Sequence, residues 1–133
     1  MSDANIAAIQ DLYAKFGAGD IAGIVASVTP DVAWGYVGQE SDYPVFGARR
    51  GPAGVGAFFE RVGANEDIRS LDAREFHASA DKVFVLGHAE YVLKASGKPV
   101  STDFIHVFTL KGGKVARFDG FLDTAKIVAA YRG

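Results

Sequence analysis

The chain contains no cysteine among its 133 residues, and only one methionine, one tryptophan and four prolines. Without cysteine it has no disulfide framework, no thiolate nucleophile and no thiolate metal site. The net charge is −2 and the basic residues are scattered, which argues against a nucleic-acid-binding surface. No apolar run approaches the ~20 residues of a membrane span, and the start, MSDANIAAIQ, lacks the pattern of a signal peptide. We therefore expect a cytoplasmic protein without nucleic-acid or membrane partners.

The order of periodic segments predicts a single α+β domain over residues 1–133. Apolar residues at helical spacing mark a helix over 3–17. A second short helix follows Asp20 and is expected to close at Pro30, and a third begins at Gly51-Pro52. A short strand near 32–37 precedes the long ones. The long strands are expected near 68–79, which a bulge could break, and near 82–95, 99–111 and 114–122. Three N-terminal helices packed on a curved, mostly antiparallel sheet would form a cone.

The stretch from Val100 to Ala125 is the centre of this prediction. It reads as two strands joined at Gly112-Gly113, which supply the positive φ angles of a tight hairpin. Side chains alternate across a strand, so His106 shares one face with apolar and aromatic neighbours. Those neighbours are Thr102, Phe104, Phe108 and Leu110. Burial among them would keep the imidazole neutral and suited to acid–base work.

Several further aromatic residues are candidates for the wall of a pocket. Trp34 and Tyr36 share a face of the first strand, and a Trp N–H or Tyr hydroxyl gives an apolar cavity a polar contact. Tyr13 lies on the apolar stripe of the first helix, and Phe118 lies on the last strand. The long loop over 38–51 carries Tyr43 and Phe46, which could form a lid.

The ordered segments of the chain resemble the SnoaL-like branch of the NTF2-like superfamily, which includes ketosteroid isomerases and polyketide cyclases. The matching segments are LYAKFGAGDIAGIV, VAWGYVG, FGARRGPAGVGAFFERV, DKVFVLGHAEYVLKASGKPV and FIHVFTLKGGKVARFDGFLDTAKIVAAY. The resemblance implies a cone-shaped fold with a deep apolar pocket, and a homodimer packed sheet to sheet.

None of the three catalytic positions of a ketosteroid isomerase keeps its residue type here, which argues against authentic steroid isomerisation. By alignment, the oxyanion-binding Tyr of a ketosteroid isomerase falls on Leu12, beside Tyr13. The base of that enzyme falls on Tyr36 and its protonated Asp on His106. The cyclase carboxylate of the last strand falls on Gly120. Asp119, next to it, is the candidate partner for His106 if a bulge re-aims its side chain.

Two functions therefore remain open from the sequence. The first is an enzyme that transfers a proton on a small hydrophobic ketone, as an isomerase or cyclase does, with His106 and Asp119 as catalytic residues. The second is a non-catalytic protein that binds a hydrophobic small molecule. In both, the ligand would contact Trp34, Tyr36, Tyr13 and the phenylalanines at 104, 108 and 118. No cofactor is expected, because no glycine-rich phosphate loop is present, and no metal is expected, because the three histidines lack a ligand motif.

Overall fold

A computed structural model describes residues 2–133 as helices packed on one six-stranded sheet. The helices are α1 (Ser2–Gly17), α2 (Ile21–Val25), α3 (Gly51–Asn65) and α4 (Thr124–Arg132). The strands are β1 (Val28–Tyr36), β2 (Arg49–Arg50), β3 (Glu66–Ser79), β4 (Lys82–Leu93), β5 (Pro99–Lys111) and β6 (Lys114–Leu122). The α+β class and the mostly antiparallel sheet are as predicted. Within the described residues, every helix is too short or too polar to cross a bilayer.

The sheet has the order β2-β1-β6-β5-β4-β3, and its single parallel pair is β1 with β6. Strict alternation of buried and less buried residues runs along β4 and β5. The buried residues face α1, α2 and α3, and the core lies between these helices and the inner face of the sheet. We call the face toward the helices the inner face and the opposite one the outer face.

The hairpin between β5 and β6 forms as the sequence predicts. Gly112 and Gly113 have φ angles of 59° and 80°, which a side chain would strain. The register places His106 opposite Gly120 and Phe108 opposite Phe118. His106 and Phe118 therefore lie on the same face of neighbouring strands, since directly paired residues share a face.

The structure corrects the prediction near Pro30. Helix α2 ends at Val25, so Pro30 does not close it but lies within β1. The pairing of β1 with β6 shifts register between Val28 and Ala33. That irregularity accommodates a residue that cannot donate a ladder hydrogen bond. Strand β3 begins two residues earlier than predicted, at Glu66, and carries register shifts, as the predicted bulge requires.

The loop between β1 and α3 is packed rather than open. Tyr43 and Phe46 are each 1% exposed, so neither lies over the fold as the predicted lid. The guanidinium of Arg49 donates hydrogen bonds to the carbonyl oxygens of Pro44, Val45 and Gly47, at 2.9, 3.2 and 3.1 Å. These bonds hold the loop in a fixed conformation and bring Tyr43 into the core.

Candidate functional site

A cavity of about 70 Å³ lies between the inner face of the sheet and helices α1 and α3. This is room for roughly five to seven water molecules. Its lining is almost entirely apolar and aromatic. All the aromatic residues predicted for a pocket wall line it, together with the predicted histidine: Tyr13, Trp34, Tyr36, Phe104, His106, Phe108 and Phe118.

His106 is buried in this wall and is held by Tyr13. The two rings are nearly parallel, and the Tyr13 hydroxyl lies 2.5 Å from Nδ1 of His106. Phe104 stacks on the imidazole with ring centroids 4.0 Å apart. Burial lowers the pKa of His106 to about 3, so the imidazole is neutral near pH 7.

The hydrogen bond with Tyr13 decides which nitrogen of His106 carries the proton. Burial, and to a lesser extent Tyr36, raise the pKa of Tyr13, so its hydroxyl keeps its proton. Among residues 2–133 that hydroxyl makes no other hydrogen bond, so we assign it as the donor to Nδ1. A neutral imidazole that accepts at Nδ1 carries its proton on Nε2. His106 therefore presents Nε2–H as a donor.

Two buried N–H groups in the cavity wall have no acceptor. Nε2 of His106 and Nε1 of Trp34 are both buried and find no hydrogen-bond partner among the described residues. Both side chains pack on Phe118, at ring-centroid distances of 5.1 and 4.5 Å. A buried donor without an acceptor costs about 1–3 kcal/mol, so two of them in one cavity wall need an explanation.

Tyr36 and Gly120, the positions on which the family resemblance places carboxylates, lie against each other in the structure. A side-chain carbon added at Gly120 would clash with the Tyr36 ring. The ring of Tyr36 also lies 5.8 Å from that of His106. The two departures from the family pattern, Tyr36 and Gly120, therefore depend on each other. The Tyr36 ring fits only because residue 120 has no side chain.

The carboxyl group in the cavity comes from Glu66, which the sequence analysis missed. Glu66 is only 9% exposed, and it lines the cavity at the start of β3. The hydroxyl of Tyr43 donates a hydrogen bond to its Oε2 atom at 2.8 Å. Burial raises the pKa of Glu66 to about 7, against the opposing effect of this hydrogen bond. The sequence held one signal for this position. Glu66 lies two residues before the apolar Ile68, and alternation along a strand puts both side chains on the inner face.

Asp119 lies away from the cavity, so the structure does not bring it together with His106. Its neighbours Phe118 and Gly120 are buried on the inner face, and alternation turns Asp119 outward. Its carboxylate pairs with Arg117 at 2.8 Å. No bulge at this position re-aims the side chain, because β6 keeps register with β5 from Arg117 to Leu122.

A second histidine cluster lies on the outer face. His88 contacts Asp103 through Nδ1 at 2.8 Å, and Glu90 and Ser101 through Nε2 at 3.0 and 3.1 Å. The order Ser, His, Asp resembles a hydrolytic triad. However, none of these residues lines the cavity, and Glu90 competes for the same nitrogen as Ser101. Across the described part of the chain, no three His, Asp or Glu side chains are grouped to hold a metal ion.

A groove lies beside the cavity, between the end of α1 and β3. Its lining shares Tyr13, Phe16, Ile68 and Leu71 with the cavity. The shared residues place the groove directly beside the cavity, which makes it the candidate entrance for a ligand. Its polar rim includes Arg69 and Ser70.

Protein families and solved structures that are similar to this chain agree on its fold. The profile of the SnoaL-like domain matches residues 9–118. An NTF2-like protein of unknown function from Burkholderia pseudomallei is 28% identical, with full coverage of both chains and a TM-score of 0.89. No curated protein sequence matches the chain significantly.

Two further solved structures share this fold. TerC, crystallised with polyporic acid, is 32% identical over 98% of this chain and 99% of its own, with a TM-score of 0.85. A proposed SnoaL-like polyketide cyclase from Mesorhizobium loti is 19% identical over 90% and 98%, with a TM-score of 0.71, and shares the fold.

Proposed function

Since this chain belongs to the SnoaL-like domain family, whose profile spans residues 9–118, we propose that it binds a small planar carbonyl compound and moves a proton next to the carbonyl. The observation that carries the proposal is the pair of unpartnered N–H groups, Nε2 of His106 and Nε1 of Trp34, in an apolar cavity wall. A ligand oxygen that accepts from them would remove the cost of burying them.

The apolar lining supports a ring compound with few polar groups. Rings surround the site on several sides, and aromatic rings pack well on planar ligands. TerC, the 32% identical relative, was crystallised with polyporic acid. A quinone or aromatic ketone offers both the carbonyl oxygen that the donors require and the apolar faces that the wall requires.

The neutral state of His106 supports a role in polarising the carbonyl rather than in accepting the proton. With a pKa of about 3, the imidazole is a very weak base at pH 7. As an N–H donor it stabilises the negative charge that develops on the ligand oxygen when a neighbouring carbon loses a proton. Donors held in a dry cavity stabilise such an oxyanion strongly, because they need no reorganisation.

A non-catalytic binding protein remains the second candidate. It is favoured by Tyr36 and Gly120, which stand where related enzymes carry carboxylates, and by the outward position of Asp119. The two candidates differ in turnover and not in binding, so binding and proton exchange need separate measurements.

The test uses 2-tetralone as the ketone and 2-naphthol as the mimic of its enol. We expect 2-naphthol to bind the wild-type protein in calorimetric titration, and His106→Phe to weaken binding about 10- to 100-fold by removing a donor to a partly charged oxygen. His77→Phe is the matched control, since His77 is exposed on β3, and its affinity should stay within about twofold of wild type. In D₂O the protein should accelerate exchange of the α-hydrogens of 2-tetralone, followed by NMR.

Each outcome of this test separates the candidates. Absence of 2-naphthol binding, or equal binding by wild type and His106→Phe, contradicts the proposed site. Specific binding without any accelerated exchange contradicts the catalytic proposal and supports the binding protein.

We also propose that the outer face of the sheet pairs with a second copy of this chain. Val37, Ile105 and Phe121 are large apolar residues with 44–48% exposure, and Ile105 is the register partner of Phe121. Ionic groups flank them, Arg117 with Asp119 on β6 and His88 with Asp103 on β4 and β5. Opposite charges around an apolar centre suit a two-fold contact, in which one patch meets itself.

Light scattering tests the dimer. Wild type should have twice the chain mass, and Phe121→Lys should have the chain mass, because the substitution places a charge in the apolar centre of the proposed contact. Ala7→Lys, at an exposed position of α1, should remain dimeric. A monomeric wild type at micromolar concentration contradicts the proposal.

A further inference from the structure

We infer that Glu66 is the catalytic residue that takes the proton from the ligand and returns it, and that Tyr43 positions its carboxyl group. This inference rests on the proposed function, because it needs a carbonyl ligand whose oxygen accepts from His106. It is independent of Asp119 and of the positions at which related enzymes carry their carboxylates.

The location of Glu66 is the first support. Helix α3 ends at Asn65, and the chain turns at once into the extended conformation of β3, where Glu66 pairs with Leu93 of β4. Its amide still donates to the Val62 carbonyl of α3. The backbone is therefore held by a helix and a strand, and the side chain lines the cavity that His106 also lines. Among the described residues, Glu66 is the one acidic side chain in that lining.

The surroundings of the carboxyl group are the second support. Glu66 forms no ion pair within residues 2–133. The titratable groups that face it are the hydroxyls of Tyr43 in the loop, Tyr91 on β4 and Tyr36 on β1. Burial raises the pKa of each of these tyrosines, so they stay neutral, and burial also raises that of Glu66 to about 7. A carboxyl group with this pKa can both accept and return a proton near neutral pH.

Tyr43 is the third support, because it occupies one carboxyl oxygen and leaves the other. Its hydroxyl donates to Oε2 of Glu66, and its ring packs edge-on against Phe46 and Tyr131, with centroids 5.1 and 5.0 Å away. Oε1 makes no hydrogen bond to any described residue. A fixed Oε2 orients the free Oε1 as the atom that meets the ligand.

The proposed step is balanced without a cofactor. Oε1 of ionised Glu66 accepts a proton from the carbon next to the carbonyl, and the electrons of that C–H bond form a carbon–carbon double bond. The carbonyl π electrons move to the oxygen, which becomes an enolate held by Nε2–H of His106 and Nε1–H of Trp34. Protonated Glu66 then either exchanges its proton with solvent and returns a solvent deuteron to the same carbon, which gives H/D exchange in D₂O, or delivers the proton to a conjugated carbon, which gives isomerisation.

The experiment measures 2-naphthol binding and 2-tetralone exchange for the same set of variants. Glu66→Gln should keep 2-naphthol affinity within about threefold and slow exchange by about 100-fold or more, the usual effect of losing a general base. Glu75→Gln is the matched control, since Glu75 is an exposed residue of the same strand. It should leave both measurements unchanged.

The pH profile tests the inference in the wild-type protein and identifies the role of Tyr43. Exchange requires ionised Glu66, so its rate should rise with pH and level off with a midpoint near 7. Tyr43→Phe keeps the ring and removes the hydrogen bond that stabilises the carboxylate. The midpoint should therefore move upward by about one pH unit, which a loss of packing alone would not produce.

The outcomes distinguish the two proposals. If wild type neither binds 2-naphthol nor exchanges 2-tetralone, the proposed function fails and this inference fails with it. If wild type exchanges 2-tetralone and Glu66→Gln exchanges it equally fast, the inference alone is overturned. A wild-type rate that does not change between pH 5 and 9 overturns it as well, even if Glu66→Gln does not fold.

Discussion

The two faces of the sheet shift the pKa of histidine in opposite directions. His106 on the inner face is buried among rings, and burial lowers its pKa to about 3. His88 on the outer face lies between Asp103 and Glu90, and hydrogen bonds to these two carboxylates raise its pKa. Both histidines lie on long strands of the same sheet, so the difference comes from the face and not from local sequence.

The same contrast holds for the carboxylates. Asp119 on the outer face forms an ion pair with Arg117. Among the described residues, the titratable groups around Glu66 on the inner face are neutral hydroxyls, and its pKa rises to about 7 because burial opposes ionisation. The outer face neutralises its charges by pairing, and the inner face leaves its polar groups available for a ligand.

The largest expected effect is the acid sensitivity caused by His106. Its pKa is about 3 in the folded protein and 6.5 in an unperturbed histidine, so the unfolded chain binds a proton that the folded one does not. Wild type should therefore lose up to about 5 kcal/mol relative to His106→Phe as the pH falls from 6.5 to 3. Urea unfolding of both proteins across this range measures the difference.

For His88, the same measurement should show a pH dependence of stability with the opposite sign. A raised pKa means that its stabilising effect is present at low pH and is lost as the pH rises through the folded-state value. The stability of wild type relative to His88→Asn should therefore fall with rising pH. Parallel pH trends for the two histidines would contradict the contrast between the faces.

A somewhat smaller effect is expected from Glu66. Its folded pKa of about 7 exceeds its ordinary value of 4.5, so the unfolded chain releases its proton first as the pH rises. Between pH 4.5 and 7, wild type should lose up to about 3 kcal/mol of stability relative to Glu66→Gln. Glu75→Gln is the control, and it should follow the pH dependence of wild type. A constant difference between wild type and Glu66→Gln would show that Glu66 is not buried as described.

Gly120→Ala tests the packing of the inner face. Its new methyl group would overlap the Tyr36 ring, and overpacking costs about 1–3 kcal/mol. Tyr36→Val in the same chain should remove most of this extra cost, since the smaller side chain leaves room. A double-mutant cycle by thermal unfolding measures the coupling, and purely additive effects would contradict the contact.

The smallest effect is expected for Asp119→Asn. Its ion pair with Arg117 lies on the outer face, where such pairs contribute about 0–1 kcal/mol. Exchange of 2-tetralone should change less than about twofold, because the side chain does not line the cavity. A loss comparable to that of Glu66→Gln would restore Asp119 as a catalytic candidate and overturn the division between the two faces.

Most of the fold could be predicted from patterns between residues that are close in sequence. The alternation along β5 identified the face of His106, and Gly112-Gly113 identified the hairpin, because both depend on neighbours in sequence. The prediction at Pro30 was wrong because proline, which has no N–H to donate, is tolerated both at a helix end and in an irregular strand. Only the pairing of β1 with β6 distinguishes the two cases. Strand β2 has only two residues, Arg49 and Arg50, too few for a periodic pattern.

The sequence alone determined the α+β class, the family resemblance and the aromatic wall around His106, because each follows from local periodicity or from ordered segments. Only the tertiary structure decided which polar groups meet in the cavity. Tyr13 reaches His106 from 93 positions away, and Tyr43 reaches Glu66 from 23 positions away. Such contacts depend on how α1 and the loop pack over the sheet. The charge state of a buried group depends on that packing, and no local pattern encodes it.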